Sequence, residues 1–241
     1  MTAQTHRSLI VNADDFGLTP GVNAGIARAH EQGILTSASL MVRPASAADA
    51  VRYAERDGGL ALGLHVDLGE WEYREGQWVQ IYEVVDTTDL DAIEQEVRAQ
   101  LERFRELVGR NPTHIDSHQH FHNYESNPIF RRIAGDLGVP LRGHTTGIHY
   151  RNFYARTRKG GPLGNNFSAE HLMDIIAGLP PGVTELGCHP GLGQDTGSIY
   201  ETERELEVEI LCDERVRETL ARERVQLLSF ADIASKQAEE R

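Results

Sequence analysis

"SLIVNADDFG", Ser8 to Gly17, is a short apolar run that ends in two carboxylates and a glycine turn. Ser8 to Ala13 has the composition of a buried strand. The segment behind it, "PGVNAGIARAHEQG", reads as a helix, with Pro20 suited to its first turn and Gly33 to its stop. In a strand-turn-helix unit of this kind a dinucleotide-binding chain would carry GxGxxG. Here "ADDFG" occupies the turn, so the fold must be sought elsewhere among the parallel α/β architectures.

Outward from this unit the same rhythm repeats. "ILTSASLMV" is a second strand, an alanine-rich helix runs from Ala45 to about Arg56, and Leu60 to Leu68 is a third strand. Leu90, Ile93, Val97, Leu101, Phe104 and Leu107 recur at three- and four-residue steps, with Thr88 and Asp91 as a capping box and Gly109 as the stop. "PTHIDSH" gives a fourth strand, "IFRRIAGDLG" a helix and "VPLRG" a fifth strand. A polar, glycine-rich loop leads to a helix near Ser168 to Ala177, then come "GVTELGCHP" as a sixth strand, an acidic helix, "VQLLSF" as a seventh strand and a short terminal helix. Strands separated by helices pair in parallel through right-handed crossovers. The expectation is one (β/α) barrel domain over residues 1–241, with seven strands rather than eight.

Composition narrows the function. Thirty-seven acids against 24 bases give a net charge of −13, which opposes a nucleic-acid partner. The acidic stretch "ETERELEVEILCDERVRETLARER" alternates in sign and reads as a solvated helix face. No apolar run approaches membrane-spanning length and no signal-peptide core precedes Asp14, so the reading is cytoplasmic, with no membrane insertion. Cys188 and Cys212 form no CxxC pair and give no thiolate zinc site.

Chemistry in parallel α/β folds sits beyond the carboxyl ends of the strands. That rule gathers Asp14 and Asp15 from the first strand, His65 and Asp67 from the third, and Asp116, His118, His120 and His122 from the fourth. Arg142 and His144 come from the fifth, and His189 from the sixth. Singly each has an ordinary explanation: a turn, a satisfied interior histidine, an uninformative His-Pro pair. Together they point to a metal site. In an extended strand His114, Asp116 and His118 share one face, and only the residue at the strand end reaches the rim, which favours His118 as ligand. His114 lies deeper and reads as structural, whereas His120 and His122 read as supporting donors or substrate contacts. One carboxylate with two imidazoles leaves coordination positions open on a divalent cation.

The blocks "VNADDFG", "LGLHVDL", "PTHIDSHQHFH" and "CHPG", in this order, resemble the YdjC-like carbohydrate deacetylases, a family that includes chitooligosaccharide deacetylases. The resemblance implies a (β/α) barrel related to the polysaccharide deacetylases and metal-dependent hydrolysis of an N-acetyl group on an amino sugar or oligosaccharide. It places one divalent cation (zinc or magnesium, with manganese, iron or cobalt as alternatives) on Asp15, His65 and His118. It suggests Asp14 as general base, His189 as general acid and Arg142 as the residue that orients the base. Two segments depart from the motifs. "GEWEYREGQWVQIYE" reads equally as a sugar-stacking surface, a hairpin side or a homodimer contact, and "RNFYARTRKGGPLGNNF" as a lid or a partner surface. A metallo-phosphoesterase with a cluster of metals and an inactive sugar-binding module are the competing readings.

Overall fold

The computed structural model describes residues 6–155, 161, 167–198 and 200–233. In chain order its elements are β1 (Arg7–Phe16), α1 (Pro20–Gln32), β2 (Ser37–Leu40), α2 (Ala47–Asp57), β3 (Ala61–Val66), β4 (Gly69–Arg74) and β5 (Gln77–Glu83). Next come α3 (Leu90–Val108), β6 (Ile115–Ser117), α4 (Asn127–Leu137), β7 (Ile148–Asn152), α5 (Ala169–Ala177) and β8 (Gly182–Cys188). The last are α6 (Thr202–Leu211), α7 (Glu214–Glu223) and β9 (Val225–Leu227). The main sheet runs β6-β3-β2-β1-β8-β7, with β9 against the first residues of β1. All its pairings are parallel, so every strand delivers its carboxyl end to the same rim. The fold is the expected α/β class, a curled parallel sheet of seven strands.

The seven are not quite the expected ones. Val139 to Gly143 contributes only a bridge from Leu141 to Ile115. Pro140 has no N–H to donate and Gly143 turns left-handed at φ 69°, so pairing stops there. The seventh strand is instead β7, within the segment read as loop, which pairs with β8 from Ile148 to Asn152. The segment with both tryptophans is an antiparallel hairpin, β4–β5, turning at Glu75 and Gly76, both at positive φ. Most of the proposed lid loop lies outside the described residues, and no described helix is long and apolar enough to cross a membrane.

Alternation along the strands sorts the interior into layers. Leu9, Val11 and Ala13 belong to the large core under the helices, whereas Ile10 belongs to a small cluster with Ala61, Leu228, Phe230 and Ile233 inside the curl. Two residues further along β1, Asn12 donates to Ser39 (2.9 Å), which donates to Asp116 (2.6 Å) and meets His114 (3.0 Å). Two residues further still comes Asp14. The bottom is thus an apolar plug, the middle a polar layer, and the top the rim. His114 lies in the middle as expected for a structural residue, its ring stacked on Phe230 at 3.8 Å. Gly63 makes room for it, since a Cβ there would stand 2.3 Å from the imidazole.

Burial holds His114 neutral, its pKa pushed down to about 3. The unfolded chain therefore binds a proton that the folded chain does not. His114 contributes stability in full above about pH 6.5, and the contribution is lost as pH falls toward the folded value. Between pH 7 and 5 the wild type should lose about 2 kcal/mol more unfolding free energy than His114→Gln, read by urea titration at each pH.

Two local expectations change. The cap of α3 is Asp89, which accepts from Asp91 and Ala92, and Thr88 instead bonds Asp86. The acidic stretch is two helices, not one: α6 stops at Leu211 with Cys212 as its cap, and Asp213 caps α7 by accepting from Arg215. Nor is α6 a solvated face. It buries Arg204, Glu207, Val208, Ile210 and Leu211.

Candidate active site

Adjacent residues of a strand face opposite sides, yet Asp14 and Asp15 both enter the rim. The register of β1 against β2 shifts between Ala13 and Phe16, and Asp15 takes a left-handed φ of 64°. That turn swings the second carboxylate back beside the first. Both are buried.

Asp15 meets the two histidines expected beside it. Its Oδ1 lies 3.3 Å from His65 Nε2 and 3.1 Å from His118 Nδ1. One ligand atom from each of Asp15, His65 and His118 falls within 4.8 Å of the others. His65 is held from behind, because its Nδ1 lies 2.7 Å from Asp116 Oδ1. With a cation bound, a carboxylate there fixes the tautomer that turns the Nε2 lone pair toward the ion. His65 Nε2 and His118 Nε2 are buried without a hydrogen-bond partner. Burial would lower the pKa of His65, but Asp116, Asp15 and Asp14 hold it up at about 10, so this spot attracts positive charge. Orphaned imidazole nitrogens, a shared carboxylate and a negative surround fit a divalent cation. Asp14, His65 and Asp116 also lie close enough to hold an ion, but Arg142 is already paired with both of those carboxylates.

Arg142 is the largest fully buried side chain among the described residues. It donates to Asp14 through two nitrogens (2.6 and 2.8 Å), and reaches Asp116 (2.7 Å) and Glu185 (2.7 Å). Burial would raise the pKa of Asp14, yet Arg142 holds it below the ordinary carboxylate range. Arg142→Met would strand three buried acids and should cost ~3–5 kcal/mol of unfolding free energy, measured by denaturant titration.

His189, at the end of β8, turns Nε2 toward the same acids, 3.7 Å from Asp14 and 4.0 Å from Asp15. Tyr154 bridges the pair: its hydroxyl donates to Asp14 at 3.3 Å and its ring packs on His189 at 4.3 Å. The structure therefore brings Asp14, Asp15, His65, His118, Arg142 and His189 to one place. Others named with them stand apart. Asp67 accepts from Gly69 and Tyr82 and holds the hairpin. His144 bonds Asn123, Asn127 and Arg131 on the outside. His122 packs against Ser117, while His120, left-handed at φ 58°, faces Tyr150 and Tyr154.

Two residues of α6 were missed. Arg204 donates to Asp15 Oδ2 at 2.5 Å, and Glu207 accepts from the His189 backbone N–H. The signal was present: Arg204, Val208 and Leu211 follow four- and three-residue steps, so Arg204 continues the helix's buried stripe.

Known proteins resemble this chain in sequence and in fold. The YdjC-like protein family matches residues 8–222, and the chain belongs to that family. Carbohydrate deacetylase 2 of Listeria innocua is 32% identical over 249 residues, covering 95% of this chain and 99% of that one. A solved structure from Enterococcus faecalis, assigned to cellobiose-phosphate cleavage, superposes with TM-score 0.76 at 25% identity over 95% of this chain and 99% of that one. At the level of fold alone, a family 4 carbohydrate esterase from Streptomyces lividans in complex with acetate matches with TM-score 0.53 at 12% identity, over 94% and 93% of the two chains.

Proposed function

We propose that this chain is a metal-dependent hydrolase that removes the acetyl group from an acetylated amino sugar of the chitooligosaccharide class. The observation that carries the reading is the meeting of Asp15, His65 and His118 from three strand ends, with Asp14 and His189 alongside. The name of the Listeria relative, carbohydrate deacetylase, supports removal of an acetyl group from a carbohydrate, without naming the sugar. Two imidazoles and one carboxylate suit zinc, with manganese, iron or cobalt close behind, and suit magnesium less well because it prefers oxygen donors. When bound, such an ion lowers the pKa of water and polarises a carbonyl.

The chain's own groups divide the proton work. Asp14 takes the proton of the attacking water, its two oxygens fixed by the Arg142 fork. Burial pushes the pKa of His189 down to about 4, against the pull of Asp15 and Asp14, so its ring rests neutral near pH 7. It must gain a proton before giving one. Asp14, 3.7 Å away and newly protonated, is the neighbour that has one to pass. His189 then delivers it to the departing nitrogen.

Acetate release from N-acetylated chito-oligomers, with and without added divalent metal, tests the proposal; no release under either condition refutes it. The phosphoesterase reading predicts several ions per chain, whereas a single ion supports the deacetylase. His189→Ala should slow amide cleavage ~10²–10⁴-fold and slow an aryl acetate ester, whose leaving group needs no proton, far less. Equal losses on both substrates would remove the acid role.

A further inference from the structure

Arg204 and Glu207 stand one turn apart on the same face of α6, and that face is turned into the rim. Arg204 is 6% exposed and Glu207 fully buried. A buried charge is costly unless it is paired and hydrogen-bonded, and here the partners belong to the machinery. Glu207 Oε2 accepts the backbone N–H of His189. Its Oε1 accepts from the Tyr200 hydroxyl and from Ala155 N–H (3.2 Å). Arg204 reaches the His189 carbonyl at 3.4 Å while its other nitrogen holds Asp15 at 2.5 Å. Both backbone groups of His189 are therefore gripped by one helix, and that helix also grips Asp15 on β1.

We infer that α6 is the positioning arm of this site, and that Glu207 is the positioning residue that aims the His189 imidazole at the departing nitrogen. The inference rests on the acid role proposed for His189. His189 precedes Pro190, and β8 ends at Cys188, so no sheet partner holds its N–H. Glu207 supplies that partner instead. Its neighbours explain why it must be a double acceptor: Tyr200, Ala155 and His189 all donate to it.

The test is a double-mutant cycle read on two substrates. Glu207→Met removes the acceptor at similar length. It should lower kcat on an N-acetylated chito-oligomer ~10–100-fold, in the range typical of residues that support site ligands, with a much smaller loss on an aryl acetate ester. Added to His189→Ala it should cost nothing further, because the two act through one imidazole. Glu207→Gln can turn its carbonyl oxygen to His189 but sets its amide against the Ala155 N–H, and should recover part of the amide rate that methionine loses. Equal losses on amide and ester, additive losses in the cycle, or a glutamine variant no better than methionine would each overturn the inference. If Glu207→Met does not fold, Arg204→Lys takes its place: it keeps the charge on Asp15, gives up the bond to the His189 carbonyl and should show the same split at smaller size. If His189→Ala itself shows no amide-specific loss, the acid role falls and takes this inference with it. An amide-specific loss in His189→Ala without one in the α6 variants removes the inference alone.

Discussion

His118→Ala is expected to give a folded chain that binds no divalent cation and releases no acetate. The residue sits just past β6, its side chain 13% exposed, with one ring nitrogen on Asp15 and the other without a partner. Its ring meets His65 edge-on at 5.7 Å but is no part of the apolar core, so the fold should survive its loss. What goes is one of three donors, and one carboxylate with one imidazole is a poor grip for a catalytic ion. Calorimetric titration with zinc and with magnesium reads the binding, and acetate release reads the turnover. A variant that still binds metal as tightly as the wild type would show that the ion, if any, sits elsewhere.

Asp14→Asn should do the opposite: the cation stays and the rate falls ~10²–10⁴-fold, the usual worth of a positioned general base. Asparagine keeps the shape but cannot take a proton from water. Arg142 keeps Asp116 and Glu185 as partners, so the network is weakened rather than dismantled. The comparison with His118→Ala separates chemistry from binding. An Asp14→Asn chain that no longer binds metal would mean that the two neighbouring carboxylates have exchanged roles, with Asp14 as ligand.

Asp14, Asp15, His65, His118 and His189 could be picked out because they fall at strand ends within ordered motifs, and a parallel sheet sends all such ends to one rim; Arg142 joins them from a segment that forms only a bridge. Arg204 and Glu207 could not be picked out in the same way. They lie mid-helix in a run of alternating charges, where the local pattern is that of a solvated face, and only the packing of α6 across the rim turns them inward. β7 was hidden likewise, since its polar residues pair with β8 only where the sheet edge is free to receive them.

Taken alone, the sequence determined the α/β class, the parallel direction of the sheet and the rim residues at the strand ends, because apolar periodicity and turn chemistry are local and survive without a partner. Tertiary structure decided the rest. The left-handed turn at Asp15, the Arg142 fork and the α6 grip on His189 join groups far apart in the chain, and the burial that makes those contacts matter exists only once the chain has folded.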